Sequence, residues 1–126
     1  MENDLVGQSP ERVSFDYAVT LAVSGGNEVR IECVMSVHTG RGDVVRVEPR
    51  SCAEGGIWLI GLLRREVTEG VVGAGGDLRI EFVGGVVLEC VADPDYEAWT
   101  LTGPKGETVV AVPGGGVERW RGPGGA

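Results

Sequence analysis

Apolar and polar side chains alternate along much of this chain, the period-2 pattern of strands buried on one face. Val13, Phe15, Tyr17, Val19, Leu21 and Val23 fall on one side of the first such run, and Ser14, Asp16 and Thr20 on the other. The run reads as one long strand. In the next, Val29, Ile31 and Cys33 point inward and Arg30 and Glu32 outward. Gly25 and Gly26 stand between the two, and Gly84 and Gly85 punctuate a similar pair of runs further on. Glycine supplies the positive φ that tight hairpins need, and Gly103-Pro104-Lys105-Gly106 is a comparable turn. Short strands between glycine turns predict an all-β fold, either a sandwich or a partly open barrel. Ile57 to Arg65 is the one helical candidate, with Leu59, Leu62, Leu63 and Glu66 at spacings of three and four. Its shortness and Gly61 limit it to one or two turns, packed over one end of the sheets.

The pattern also repeats. Val19 to Val34 lies over Leu78 to Val91, with Asn27-Glu28 read as a lengthening of the first hairpin and Cys33 matched to Cys90. Thr39 to Pro49 then resembles Thr102 to Pro113, and Gly55-Gly56-Ile57-Trp58 resembles Gly115-Gly116-Val117 with Trp120. Four matches in the same order predict an internal duplication within a single domain spanning 1–126. Copy one runs over about 12–58 and copy two over about 71–120, with about four strands each, and 121–126 form a loose tail. Trp58 and Trp120 are expected to close equivalent ends of a pseudo-two-fold structure.

Composition narrows the function classes. With 126 residues, 42% of them hydrophobic and 24% charged, the chain lies well away from the disordered regime. Nineteen acidic against eleven basic residues leave a formal charge of −8, and the longest basic run is Arg64-Arg65. Nucleic acid is therefore not an expected ligand, whereas a basic protein partner is. Three cysteines without a Cys-x-x-Cys pair, and a start at Met1-Glu2-Asn3-Asp4 with no basic or apolar leader, point to free thiols in the cytoplasm. Ile57 to Leu63 is the longest strongly apolar run, far short of the ~20 residues that cross a bilayer, so no membrane segment is expected.

Few residues suggest chemistry. His38 is the only histidine and has no counterpart in the second copy, so it reads as a strand-end residue in preference to a general base. The cysteines and His38 lack the paired spacing of zinc ligands, and neither a metal nor a cofactor is expected. Cys33 and Cys90 read as small buried hydrophobes, whereas Cys52, in a glycine-rich stretch, is the more reactive candidate. Arg41-Gly42-Asp43 aligns with Lys105-Gly106-Glu107 and reads as a hairpin turn; Gly114-Gly115-Gly116 reads as a loop, because no helix with Lys or Ser/Thr follows it. The segment Asp93-Pro94-Asp95-Tyr96-Glu97-Ala98-Trp99 holds the main insertion between the copies. Its plainer reading is an Asp-Pro turn into an edge strand whose aromatics enter the core. Its functional reading is a partner-binding segment, with Asp93, Asp95 and Glu97 meeting basic groups and Tyr96 and Trp99 as contact residues.

Tyr96-Glu97-Ala98-Trp99, the turn at Gly103, Pro113-Gly114-Gly115 and Trp120 together resemble the C-terminal signature of a family of small uncharacterised actinobacterial β-proteins. The resemblance covers mainly the second half; the family brings no established activity, so no catalytic role carries over from it. A non-catalytic protein-binding module is thus the leading expectation, in the form of an immunity- or antitoxin-like protein that caps a basic partner. The alternative is a small-ligand-binding or structural oligomerising β domain, and a homo-oligomer is compatible with either.

Overall fold

The alternating segments resolve into eleven strands among the residues described by the computed structural model, which are 1–51, 55–95 and 97–121. In chain order these are β1 (Pro10–Phe15), β2 (Val19–Val23), β3 (Asn27–Ile31), β4 (Met35–His38), β5 (Val44–Val47), β6 (Val67–Val72), β7 (Leu78–Phe82), β8 (Val86–Cys90), β9 (Trp99–Thr102), β10 (Thr108–Ala111) and β11 (Val117–Trp120). A single turn of helix, α1 (Gly56–Ile60), precedes β6, and 3-10 turns occupy Glu2–Leu5 and Ser24–Gly26. Among the described residues no helix is long and apolar enough to cross a membrane.

Two antiparallel sheets form, in the orders β1-β2-β3-β9-β10-β11 and β5-β4-β8-β7-β6. Each sheet is open at both edges, so the fold is a sandwich and not a closed barrel. Alternation in β2, β3 and β7 buries every second residue, and the inward sets of the two sheets meet in one core. Val19, Leu21, Val29, Ile31, Met35, Val37, Leu78, Ile80, Leu88 and Leu101 are all at most 2% exposed.

The internal duplication has a form that the repeat alone does not display. The first three strands of each half pair with the last strands of the other, so the chain passes between sheets twice, at 32–34 and at 91–98. These two connections lie side by side: the N–H groups of Glu32 and Cys33 both donate to the Ala98 carbonyl, at 2.8 and 3.2 Å. Strand register fixes which residues correspond. Val19 pairs with Ile31 and Leu78 with Cys90, so Ile31, not Cys33, is the counterpart of Cys90. The first hairpin has no extra residues either; Asn27 pairs with Val23 as Val86 pairs with Phe82. Both β1 and β6 carry an irregularity at the same place, between Pro10 and Arg12 and between Val67 and Glu69.

The long first strand is also corrected. The run from Val13 to Val23 is a hairpin, not one strand, because the Asp16 N–H donates to the Ala18 carbonyl across Tyr17, which adopts φ 60. Phe15 and Tyr17 consequently leave the core, at 40% and 84% exposure, and Phe15 corresponds in register to Val72. Trp58 and Trp120 lie near corresponding hairpin tips but in unlike elements, one in α1 and the other in β11, and both are partly exposed.

Candidate protein-binding surfaces

The insertion at 93–99 divides between the core and the solvent. Trp99 opens β9, which lies between β3 and β10 and is no edge strand. Its ring is fully buried and its indole N–H donates to the Gly76 carbonyl at 2.8 Å. A partner cannot reach it, so Trp99 is removed from the partner-binding set. Asp93 shapes the loop: its carboxylate accepts the Asp95 N–H at 2.8 Å, an Asx turn, and its carbonyl accepts the Gly114 N–H at 2.8 Å. Asp95 and Glu97 are exposed. Tyr96 lies outside the described residues, as does Cys52.

Cys33 and Cys90 are buried free thiols. Hydrogen bonding from the Cys90 thiol lowers the pKa of Cys33, and the same bond, together with complete burial, raises that of Cys90. His38 lies half-exposed on the outer face of its sheet, where Nε2 meets the Glu89 carboxylate on β8. Among the described residues no cluster of three or more His, Cys, Asp or Glu side chains is placed to hold a metal ion.

The most unusual surface lies at the other end of the same sheet. Met35 pairs with Cys90 and His38 with Val87, so the 91–98 connection leaves one end while the hairpin tips at 39–43 and 83–85 occupy the opposite end. These tips touch backbone to backbone. A Cβ on Gly40, which has φ +83, would lie 2.5 Å from the Gly84 carbonyl oxygen, so only glycine permits the approach. Arg41-Gly42-Asp43 is part of this hairpin, closed by the Thr39 N–H donating to the Asp43 carbonyl at 3.0 Å. Beside the tips stands α1. Leu59 and Leu62 anchor it in the core at 0% and 1% exposure, whereas Ile57, Trp58, Ile60 and Leu63 face solvent at 72%, 41%, 51% and 38%. One helical turn has too little contact with the sheets to bury a segment that is apolar on every side.

Between α1 and the hairpin tips runs a cleft of about 470 Å³, lined by Trp58, Arg41 and Arg65 over Val37, Leu62 and Val86. It adjoins a second depression of about 500 Å³ that shares Gly61 and Arg65 and adds Leu63, Arg64, Glu66 and Val83. Arg65 is held in place by donating to the Val83 carbonyl at 2.9 Å. Arg64 adopts φ 63, with its N–H on the Pro10 carbonyl. The sequence carried a signal for this surface. Six of the seven residues from Ile57 to Leu63 are apolar, more than a single buried stripe can use, and arginines follow directly.

No curated protein and no solved structure matches the chain. A family model does match, over residues 1–121 and thus through both halves of the sandwich. The chain belongs to the family of unknown function DUF6188.

Proposed function

We propose that this protein is a non-catalytic protein-binding module whose contact face is centred on α1. The observation that carries the reading is the exposure of Ile57, Trp58, Ile60 and Leu63 beside a cleft. Contiguous apolar side chains rimmed by charge mark interaction sites, and burying each fully contributes about 1.5–3 kcal/mol. The only histidine, His38, is paired with Glu89 on an open sheet face and lines none of the clefts described above, which favours binding over acid-base chemistry. Within this class, the immunity- or antitoxin-like role in the cytoplasm fits the charge of −8. An acidic surface, including exposed Asp95 and Glu97, would steer a basic partner toward the complex and suppress wrong ones. The Tyr96 to Trp120 signature and the arginine- and glycine-rich composition favour an actinobacterial setting for the family.

The test is photo-cross-linking in cells, with a photoreactive residue placed at Ile57, at Asp95 or, as a control, at exposed Val71. A discrete heterologous product from position 57, absent from position 71, is the expected result. A product from position 95 alone would move the contact face to the acidic loop. A product linking two copies of the chain would replace the reading with an oligomerising domain, and no product from either position would overturn it.

A further inference from the structure

We propose that the double cleft beside α1 is a trough for an acidic segment of a partner protein, an extended stretch in which carboxylates alternate with apolar residues. This rests on the protein-binding reading and names the chemistry of the one segment, within a partner basic elsewhere, that meets that face. Charge is the first argument. The 470 Å³ cleft is lined by two arginines and no acid, in a chain where acidic residues outnumber basic ones by nineteen to eleven. The adjoining depression adds Arg64 against a single carboxylate, Glu66. Among the described residues the Arg41 side chain makes no hydrogen bond or ion pair, so its guanidinium is available to a carboxylate, which it can bind in bidentate geometry.

Shape is the second argument. Two depressions lie side by side, sharing Gly61 and Arg65, an arrangement suited to a chain segment more than to a compact metabolite. Its apolar contacts, Trp58, Leu63 and Val83, are interspersed with arginines at Arg41, Arg64 and Arg65, so an occupant must offer both surfaces within a few residues. Tryptophan and arginine are also the residue types that most often anchor interfaces.

The duplication supplies an internal control. At the related end of the other sheet the hairpin tips meet in the same way, a Cβ on Gly26 coming within 2.7 Å of Pro104. The depression there, about 420 Å³, is lined by Asp4, Gln8, Lys105 and Glu107 and lacks both arginine and an aromatic residue. Shared scaffolding accounts for the touching hairpins. A neighbouring depression at that end, about 310 Å³, does carry Trp120 with Arg119 and Arg121, but there Arg119 is already tied to the Glu2 carboxylate, whereas among the described residues the Arg41 guanidinium beside Trp58 is not so engaged.

The experiment titrates the intact protein with three synthetic peptides, in which leucine alternates with glutamate, glutamine or lysine, following backbone amide shifts by NMR and affinity by anisotropy. The glutamate peptide is expected to shift residues 39–43, 57–65 and 83–85. Its affinity should fall about tenfold on Arg41→Gln and as ionic strength is raised, because the contact is charge-assisted and partly screened. Arg41→Gln leaves the Arg65 contact with Val83 intact, so folding is preserved; Arg65→Gln is the second variant, checked by its spectrum. Equal binding of the glutamine or lysine peptide, or of the glutamate peptide to Arg41→Gln, would overturn the proposal. So would free glutamate displacing the peptide at equal concentration, which would make the site one for small anions. If cross-linking from position 57 succeeds while the glutamate peptide fails, only the acidic-segment inference falls; if both fail, the protein-binding reading falls with it.

Discussion

Trp99 shows how one residue can satisfy two roles in a core. Its ring fills the interior next to the inter-sheet connection, and its indole N–H satisfies the otherwise buried Gly76 carbonyl. The two contributions separate by substitution. Trp99→Phe keeps most of the volume but leaves that carbonyl unpaired, and should cost about 1–3 kcal/mol of unfolding free energy. Trp99→Ala also opens a cavity and should cost about 3–5 kcal/mol. Urea denaturation measures both, and a Trp99→Phe variant as stable as the parent would show that the hydrogen bond contributes nothing. The placement of Trp99 was half legible. Period-2 alternation with Leu101 puts both on one face, but whether that face is covered depends on β9 lying between β3 and β10.

Among the elements, the hairpins carry the clearest sequence signal and also the clearest failure. Gly25-Gly26, Gly84-Gly85 and Gly103 to Gly106 all turn where glycine says they should, with positive φ at Gly25, Gly26, Gly84, Gly85 and Gly106. The β1–β2 turn has no glycine, and Tyr17 takes φ 60 there, so alternation runs through it unbroken and hides it. Gly40 and Gly42 distinguish conformational strain from steric contact within one turn. Both have positive φ, but a Cβ on Gly42 meets nothing within 4 Å, while one on Gly40 meets the Gly84 carbonyl. Gly42→Ala should therefore cost about 1–2 kcal/mol, the left-handed penalty alone. Gly40→Ala should cost more and, by separating the hairpin tips, weaken peptide binding in the trough; chemical denaturation of both variants gives the comparison.

At the scale of the whole molecule, the first turn of chain joins the two sheets. Leu5 is fully buried, and the Glu2 carbonyl sits where a Cβ on Gly70 of β6 would be, 2.6 Å away. The Glu2 carboxylate reaches the other sheet, accepting 2.8 and 2.9 Å hydrogen bonds from both terminal nitrogens of Arg119 on β11. That bidentate pair lowers the Glu2 pKa from its ordinary 4.5 to about 2. Because the folded value is depressed, the stabilisation is full above pH 4.5 and is lost as pH falls through about 2. Arg119 is 46% exposed, so solvent screening reduces the contribution to about 1 kcal/mol. Glu2→Gln should lower stability by that amount at pH 7 and leave it nearly unchanged near pH 2, flattening this part of the acid-unfolding profile. A parallel profile for the variant would mean that the pair does not couple folding to pH.

The amino-acid order by itself determined the local matters: strand period, the inward identity of Leu21, Ile31, Ile80 and Leu88, and the glycine turns. Backbone sterics and side-chain alternation act over a few residues, so they are written in any short window. It also determined that the two halves share a pattern. The tertiary structure alone decided that strands pair between halves, that Ile31 rather than Cys33 matches Cys90, and that Trp99 is inside while Ile57 and Trp58 are outside. Alternation says which residues seek cover but not which sheet covers them, because the hydrophobic effect has no direction. Register and cover come from hydrogen bonds between strands distant in sequence, such as β3 with β9 and β4 with β8.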